Sequence, residues 1–103
     1  MKTNEIYLSE IKVTPVKPNN GLVGFASAIL NDQIYLGCIG IYSSLSSPEG
    51  FRLVYPTKML SNGTSLNIFH PITKEAGLSI QEIIVSEYLK LFEELMKGDG
   101  NGR

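Results

Sequence analysis

The chain has no tryptophan, one cysteine and one histidine, and only 18% of its residues are charged. A lone cysteine, Cys38, cannot close an internal disulfide, the pattern expected of a chain kept reduced in the cytoplasm. The lone histidine, His70, has no cysteine or second histidine at ligand spacing, and no Ser-x-x-Lys or Gly-x-Ser-x-Gly accompanies it. His70 is therefore read as a turn residue ahead of Pro71, and Cys38, inside an apolar run, as a small buried hydrophobe. The start, Met1-Lys-Thr-Asn-Glu5, contains no signal-like apolar run. No stretch approaches the roughly 18 apolar residues of a membrane span. Gly21, Gly24, Gly37 and Gly40 lack the strand-then-helix setting of a phosphate loop. Carboxylate pairs suited to acid–base chemistry are missing from the first two thirds of the chain. These absences exclude the common catalytic constellations. The expectation is a non-enzymatic protein with no metal, no cofactor, no small-molecule substrate and no membrane partner.

What is present is the composition of one small globular domain: 103 residues, 43% of them apolar. The domain is expected over residues 1–97, with a flexible tail at 98–103, Gly-Asp-Gly-Asn-Gly-Arg. Residues 5–14 read as a first strand, and Thr14-Pro-Val-Lys-Pro-Asn-Asn-Gly21 as a connector broken by two prolines and a glycine. Residues 22–30 and 33–42 form two apolar strands joined at Asn31-Asp32, residues that tolerate positive φ and so suit a hairpin. Glycines inside the second of these, Gly37 and Gly40, point to a bulge or a close approach. After a loop at 43–50, Phe51–Tyr55 is a fourth strand ended by Pro56. Ser61-Asn62-Gly63-Thr64 is a turn, and Leu66–Phe69 a short return strand closed by His70-Pro71.

From residue 79 the apolar period changes from two to 3.6. Ser79 and Glu82 stand at capping-box spacing, and Thr73 offers a start one turn earlier. Ile80, Ile84, Val85, Tyr88, Leu89, Leu91, Phe92, Leu95 and Met96 fill about half of the helical wheel, against the roughly 100° an ordinary surface helix needs. Such a face exceeds what its own sheet covers unless sheet curvature and the 43–50 loop complete it. Otherwise a second copy of the chain is the simplest partner. Five strands followed by one helix specify an α+β domain, an antiparallel sheet with a C-terminal helix packed on it.

The net charge is −1, but residues 1–72 carry five basic and four acidic groups while residues 73–103 carry four and six. A polyanion should therefore meet the strands and their loops and avoid the helix. The candidate rim is Arg52, Thr57, Lys58 and Lys74, with Lys12 and Lys17 from the first strand and its exit, since phosphate contacts come mainly from Arg, Lys and hydroxyl groups.

Several segments together carry a resemblance: Leu30-Asn-Asp-Gln33, Gly50-Phe51-x-x-x-x-Pro56-Thr57-Lys58, Asn67-Ile-Phe-His70-Pro71-Ile72, Ile80-Gln81 and Glu87-Tyr88. Over residues 5–95 the chain resembles the stage V sporulation protein G (SpoVG, septation protein) family. The resemblance implies a small cytoplasmic homodimer that binds DNA or RNA and influences septation, sporulation or gene expression. It also exposes departures. Family members commonly carry a basic residue where this chain has Gly40, another where it has Met59, and a histidine near Gly37. Two missing charges would lower both affinity and salt sensitivity. That favours the alternative expectation, a protein-interaction module whose wide helix face docks a partner and whose nucleic-acid binding is weak or lost.

Overall fold

In the computed structural model, residues 6–47 and 49–101 are described, those from 95 onward by their helical backbone alone. Six strands precede one helix: β1 (Leu8–Asn19), β2 (Leu22–Leu30), β3 (Ile34–Ser43), β4 (Phe51–Val54), β5 (Thr57–Met59), β6 (Ser65–Asn67) and α1 (Lys74–Asn101). The first four pair antiparallel in the order β1-β2-β3-β4, and β5-β6 is a separate two-stranded hairpin. The α+β architecture expected from the element order is the one observed. The strand count rises to six because Thr57-Lys58-Met59 pairs with residues 65–67 across the Asn62-Gly63 turn. There the Asn62 carboxamide oxygen accepts hydrogen bonds from the Thr64 backbone N–H at 3.1 Å and its hydroxyl at 2.7 Å, closing the turn locally.

β1 corrects one expectation. The segment 14–19 is not a connector; the strand continues through Pro15 and Pro18 to Asn19. Proline is tolerated because β1 is an edge strand, so a missing N–H need not break a ladder. The reversal falls instead at Asn20-Gly21, both in the left-handed region at φ 53° and 93°, the strongest short hairpin signal a sequence offers. The expected hairpin after β2 is present, with Asn31 and Asp32 at φ 51° and 60°. The Asn31 side chain accepts a hydrogen bond from the Tyr7 N–H at 2.9 Å, and its own N–H donates to the Tyr7 carbonyl at 2.7 Å. The chain entering β1 is thereby clipped to this turn. Glu5 and the residues before it lie outside the described residues, so the expected first strand is described from Ile6 onward.

Two bulges decide which side chains face the helix. On β1 the register slips between Ser9 and Lys12, with Glu10 at φ 50°; on β3 it slips between Leu36 and Ile39, with Cys38 at φ 59°. The first slip lies opposite Ala28 of β2, which is 1% exposed, and the second opposite its neighbour Ser27. Each inserted residue turns the alternation over. Leu8, Ile11 and Val13 then share the inner face, as do Leu36, Ile39 and Ile41, although each set is spaced three and then two. The same bulge overturns the expectation for Cys38. Its left-handed backbone turns the thiol outward, and it is exposed instead of buried.

The inner face of β2 presents Gly24, Ala26 and Ala28, which leave room for Ile80, Ile84 and Tyr88 of the helix. A Cβ on Gly24 would lie 3.4 Å from the Tyr88 ring and 3.1 Å from the Thr14 carbonyl oxygen. The helix backbone comes nearest to β1 and β4, the two edges of the sheet. With both edges approaching the helix and β2 lined by small residues, the sheet curls around it. Phe51, Tyr88 and Phe92 continue the core as edge-to-face pairs with centroids 5.2 and 4.9 Å apart. Of the two sequence-compatible helix starts, the earlier one is used. The Thr73 hydroxyl caps the helix by accepting from the Ala76 N–H at 3.1 Å.

Ile84 is wholly buried and Leu78, on the same helix, is 57% exposed. Ile84→Ala is expected to cost about 2–5 kcal/mol, and Leu78→Ala less than about 1 kcal/mol. Thr73→Ala should cost about 1 kcal/mol through the lost cap. Urea denaturation of the three variants measures all of these differences.

Candidate functional site

The outer face of the four-stranded sheet, opposite α1, is assembled by the register. Cross-strand partners stand on one face of a sheet. Asn19, Leu22, Tyr42 and Arg52 make one row, Thr14, Phe25, Gly40 and Val54 the next, then Lys12 beside Ser27, and finally Ser9, Ile29 and Tyr35. Lys12, Thr14, Phe25 and Cys38 border one shallow depression. The face therefore mixes cations with rings: Phe25 is 42% and Tyr35 67% exposed.

The two glycines inside β3 have a defined part in this. Tyr35 lies back along its own strand over Gly37, where a Cβ would come within 2.7 Å of the ring. Tyr42 leans the other way over Gly40, whose Cβ would lie 3.0 Å from that ring. The Arg52 guanidinium sits 5.1 Å from the centroid of Tyr42, a cation–π contact worth about 0.5–1 kcal/mol at an exposed position. Gly40 thus does more than omit a charge. Any side chain there would require the Tyr42 ring beneath Arg52 to give by a few tenths of an ångström.

The rim residues read from the sequence come from separate pieces. Arg52 is on the outer face of β4, Thr57 and Lys58 are on β5 in the small second sheet, and Lys74 is the first residue of the helix. All four are exposed. Among the described residues no hydrogen bond between side chains joins them, and the ion pair found, Lys90 with Glu87 at 3.2 Å, involves none of them. Lys12 shares the outer face with Arg52 at the opposite edge, three inter-strand spacings or about 14 Å across the sheet and two rows further along it. Lys17 follows Pro15, where the β1–β2 register becomes irregular. Met59 is 68% exposed on β5, so a basic residue would fit there without steric cost. What sequence reasoning missed is the ring set Phe25, Tyr35 and Tyr42. Their alternation was legible, but the bulge that sorts Tyr35 and Tyr42 onto one face was not.

Charge separates front from back. Six carboxylates, Glu75, Glu82, Glu87, Glu93, Glu94 and Asp99, belong to α1, the helix behind the sheet, against its three lysines. Glu49 is held toward the helix by the Gln81 amide, which donates to it at 3.0 Å. His70 is exposed and its Nδ1 lies 3.0 Å from the Pro71 carbonyl oxygen, in keeping with a turn residue. No cluster of three or more potential metal ligands occurs among the described residues. No helix among them is long and apolar enough to cross a membrane.

A second feature lies between the β2–β3 turn, the segment 69–72 and the start of α1, where Ile34, Leu36, Tyr55, Phe69 and Ile80 border an apolar cleft. The Tyr55 hydroxyl is sealed from solvent with no hydrogen-bond partner, and burial pushes its pKa up to about 12. Burial also raises the Tyr88 phenol. A phenol whose folded pKa is raised keeps its contribution to stability below the unfolded value near 10 and loses it as the pH climbs toward 12. Stability should accordingly fall between about pH 10 and pH 12. Tyr55→Phe should be neutral or stabilising at pH 7, since it deletes an unpaired buried donor, and should flatten the alkaline decline. Denaturation midpoints at pH 7, 10 and 11 measure both effects.

The SpoVG family model matches residues 6–90. A protein of Treponema denticola is 29% identical over 83 residues, covering 81% of this chain and 86% of its own length. One of Finegoldia magna is 24% identical over 87 residues, covering 84% and 78%. Both carry the name septation protein SpoVG. With the family match running from the chain entering β1 to the middle of α1, the protein belongs to the SpoVG family.

Proposed function

We propose that this chain is a non-enzymatic cytoplasmic regulator with a role in septation or sporulation, acting as a homodimer that binds DNA or RNA. The role follows from its family and the names of its relatives. The observation that carries the nucleic-acid reading is Arg52, an exposed cation on an open sheet face, oriented by Tyr42 and free of any carboxylate within ion-pair distance among the described residues. Lys58 and Thr57 extend the contact set along β5, and Lys74 adds a charge at the start of α1. Phosphate contacts of this kind give affinity without sequence information.

The dimer reading rests on the helix. Packing on the sheet buries Ile80, Ile84 and Tyr88 but leaves Leu89 47% and Phe92 41% exposed. These two continue the apolar half of the wheel beyond what the sheet covers, and a second copy of the chain would bury them. The same residues favour a second reading, a protein-interaction module in which this stripe docks a different partner. The missing charges at Gly40 and Met59 point the same way.

Fluorescence anisotropy against mixed duplex DNA and RNA, titrated with salt, tests the first reading. Lys58→Ala should weaken binding about equally on all sequences and lower the salt slope by about 1, and Met59→Lys should raise it by a similar amount. Unchanged binding in both variants would remove β5 from the interface. For the dimer, light scattering should give twice the chain mass for the native protein and a monomeric mass for Phe92→Glu. A monomeric native protein at micromolar concentration would favour the module.

A further inference from the structure

We infer that the open face of the four-stranded sheet is a stacking platform for the unpaired bases of a single strand, DNA or RNA. The inference rests on the nucleic-acid reading above and names the substrate form that the sheet face, as distinct from the β5 cations, would take. Single-strand binders combine cations that follow the backbone with ring faces on which successive bases stack. A four-stranded sheet with rings in front and helical cover behind is an established way to hold two or three bases. Here Tyr42 and Phe25 stand in adjacent rows of one face, and Tyr35 stands on the same face two rows beyond Phe25, past the row of Lys12 and Ser27. Tyr42 and Tyr35 are seven residues apart on β3, a span on the order of 20 Å at the rise of a strand.

Two features point to bases and not merely to phosphates. Tyr35 is the more exposed of the face's rings at 67%, yet it is laid against its own strand over Gly37. A ring held in this way loses little conformational freedom when a base stacks on it. Moreover, Arg52 already stacks on Tyr42, and a guanidinium so placed can meet a base plane or a phosphate. The cations at the two edges of the face, Lys12 on β1 and Arg52 on β4, flank the rings. A strand laid between them would have its backbone near a cation on either side. The carboxylates of α1 lie behind the sheet, so the field steers a polyanion to the front. A duplex keeps its base planes stacked on one another and offers this face only phosphates, so the rings would contribute to single-strand binding alone.

The test compares labelled oligothymidine and oligouridine of about 12 nucleotides, matched to the size of one such site, with a duplex of the same length, by anisotropy at low salt. Single strands should bind more tightly than the duplex. Tyr35→Leu and Phe25→Leu should each weaken single-strand binding by about 5- to 100-fold while leaving duplex binding unchanged. Both rings are exposed, and thermal unfolding of the two variants checks that the fold is kept. The ratio of thymidine to uridine affinities distinguishes DNA from RNA. If single strands and duplex bind alike, or if both ring variants bind single strands as the native protein does, the platform is overturned while the cation-based reading stands. If no oligonucleotide binds even at low salt, both fall together.

Discussion

The pair of bulges around Ala28 is the constraint on which the rest of the molecule depends. In an unbroken antiparallel sheet, Leu8 and Ile11 would point to opposite faces, and so would Leu36 and Ile39. The slips at Glu10 and Cys38 turn both strands over at adjacent levels of the sheet, opposite Ala28 and Ser27 of β2. Leu8, Ile11 and Val13 of β1 and Leu36, Ile39 and Ile41 of β3 then converge on Ile80, Ile84 and Tyr88 of the helix. Placing residues at positive φ has a conformational cost for any side chain with a Cβ. That cost is offset by an inner face with no buried polar residue and wholly buried Ile39, Ile41 and Ile84 among the described residues.

The same slips decide what the other face carries. Once Leu36 and Ile39 are inside, Tyr35 and Cys38 must be outside, and Tyr42 follows from Ile41. The glycines two residues from each tyrosine let the rings lie down on the strand instead of standing in solvent. Core packing on one side therefore produces an ordered aromatic surface on the other. Fold stability and the proposed binding surface are thus coupled: a change that removes a bulge would empty part of the core and scramble the rings together.

Charge is divided along the same boundary. The carboxylates of α1 line the back, and Arg52 and Lys12 stand at the front edges. With a net charge of −1 the protein as a whole attracts no polyanion strongly. A segregated surface of the same net charge still presents a favourable side and an unfavourable one, and attraction at the front falls off within about 10 Å at ordinary salt. Binding of the proposed kind would accordingly depend on direct contacts more than on long-range steering.

Much of this was open to reading from residues alone. The 3.6 period after residue 79 determined the helix, its excess apolar width anticipated the exposure of Leu89 and Phe92, and Asn31-Asp32 and Asn62-Gly63 located two turns, because these signals are local. The continuation of β1 through Pro15 and Pro18 was not legible, since whether proline is tolerated depends on a strand's being at an edge, which sequence order does not state. Nor was the exposure of Cys38, or the meeting of Phe25, Tyr35 and Tyr42. By itself the sequence determined the α+β class, the helix and its surplus face, the scarcity of catalytic groups and the imbalance of charge between strands and helix, all of which follow from composition and short-range period. Only the tertiary structure decided which face each strand residue occupies, because a single inserted residue reverses the alternation and its position is set by packing against strands and a helix distant in the chain.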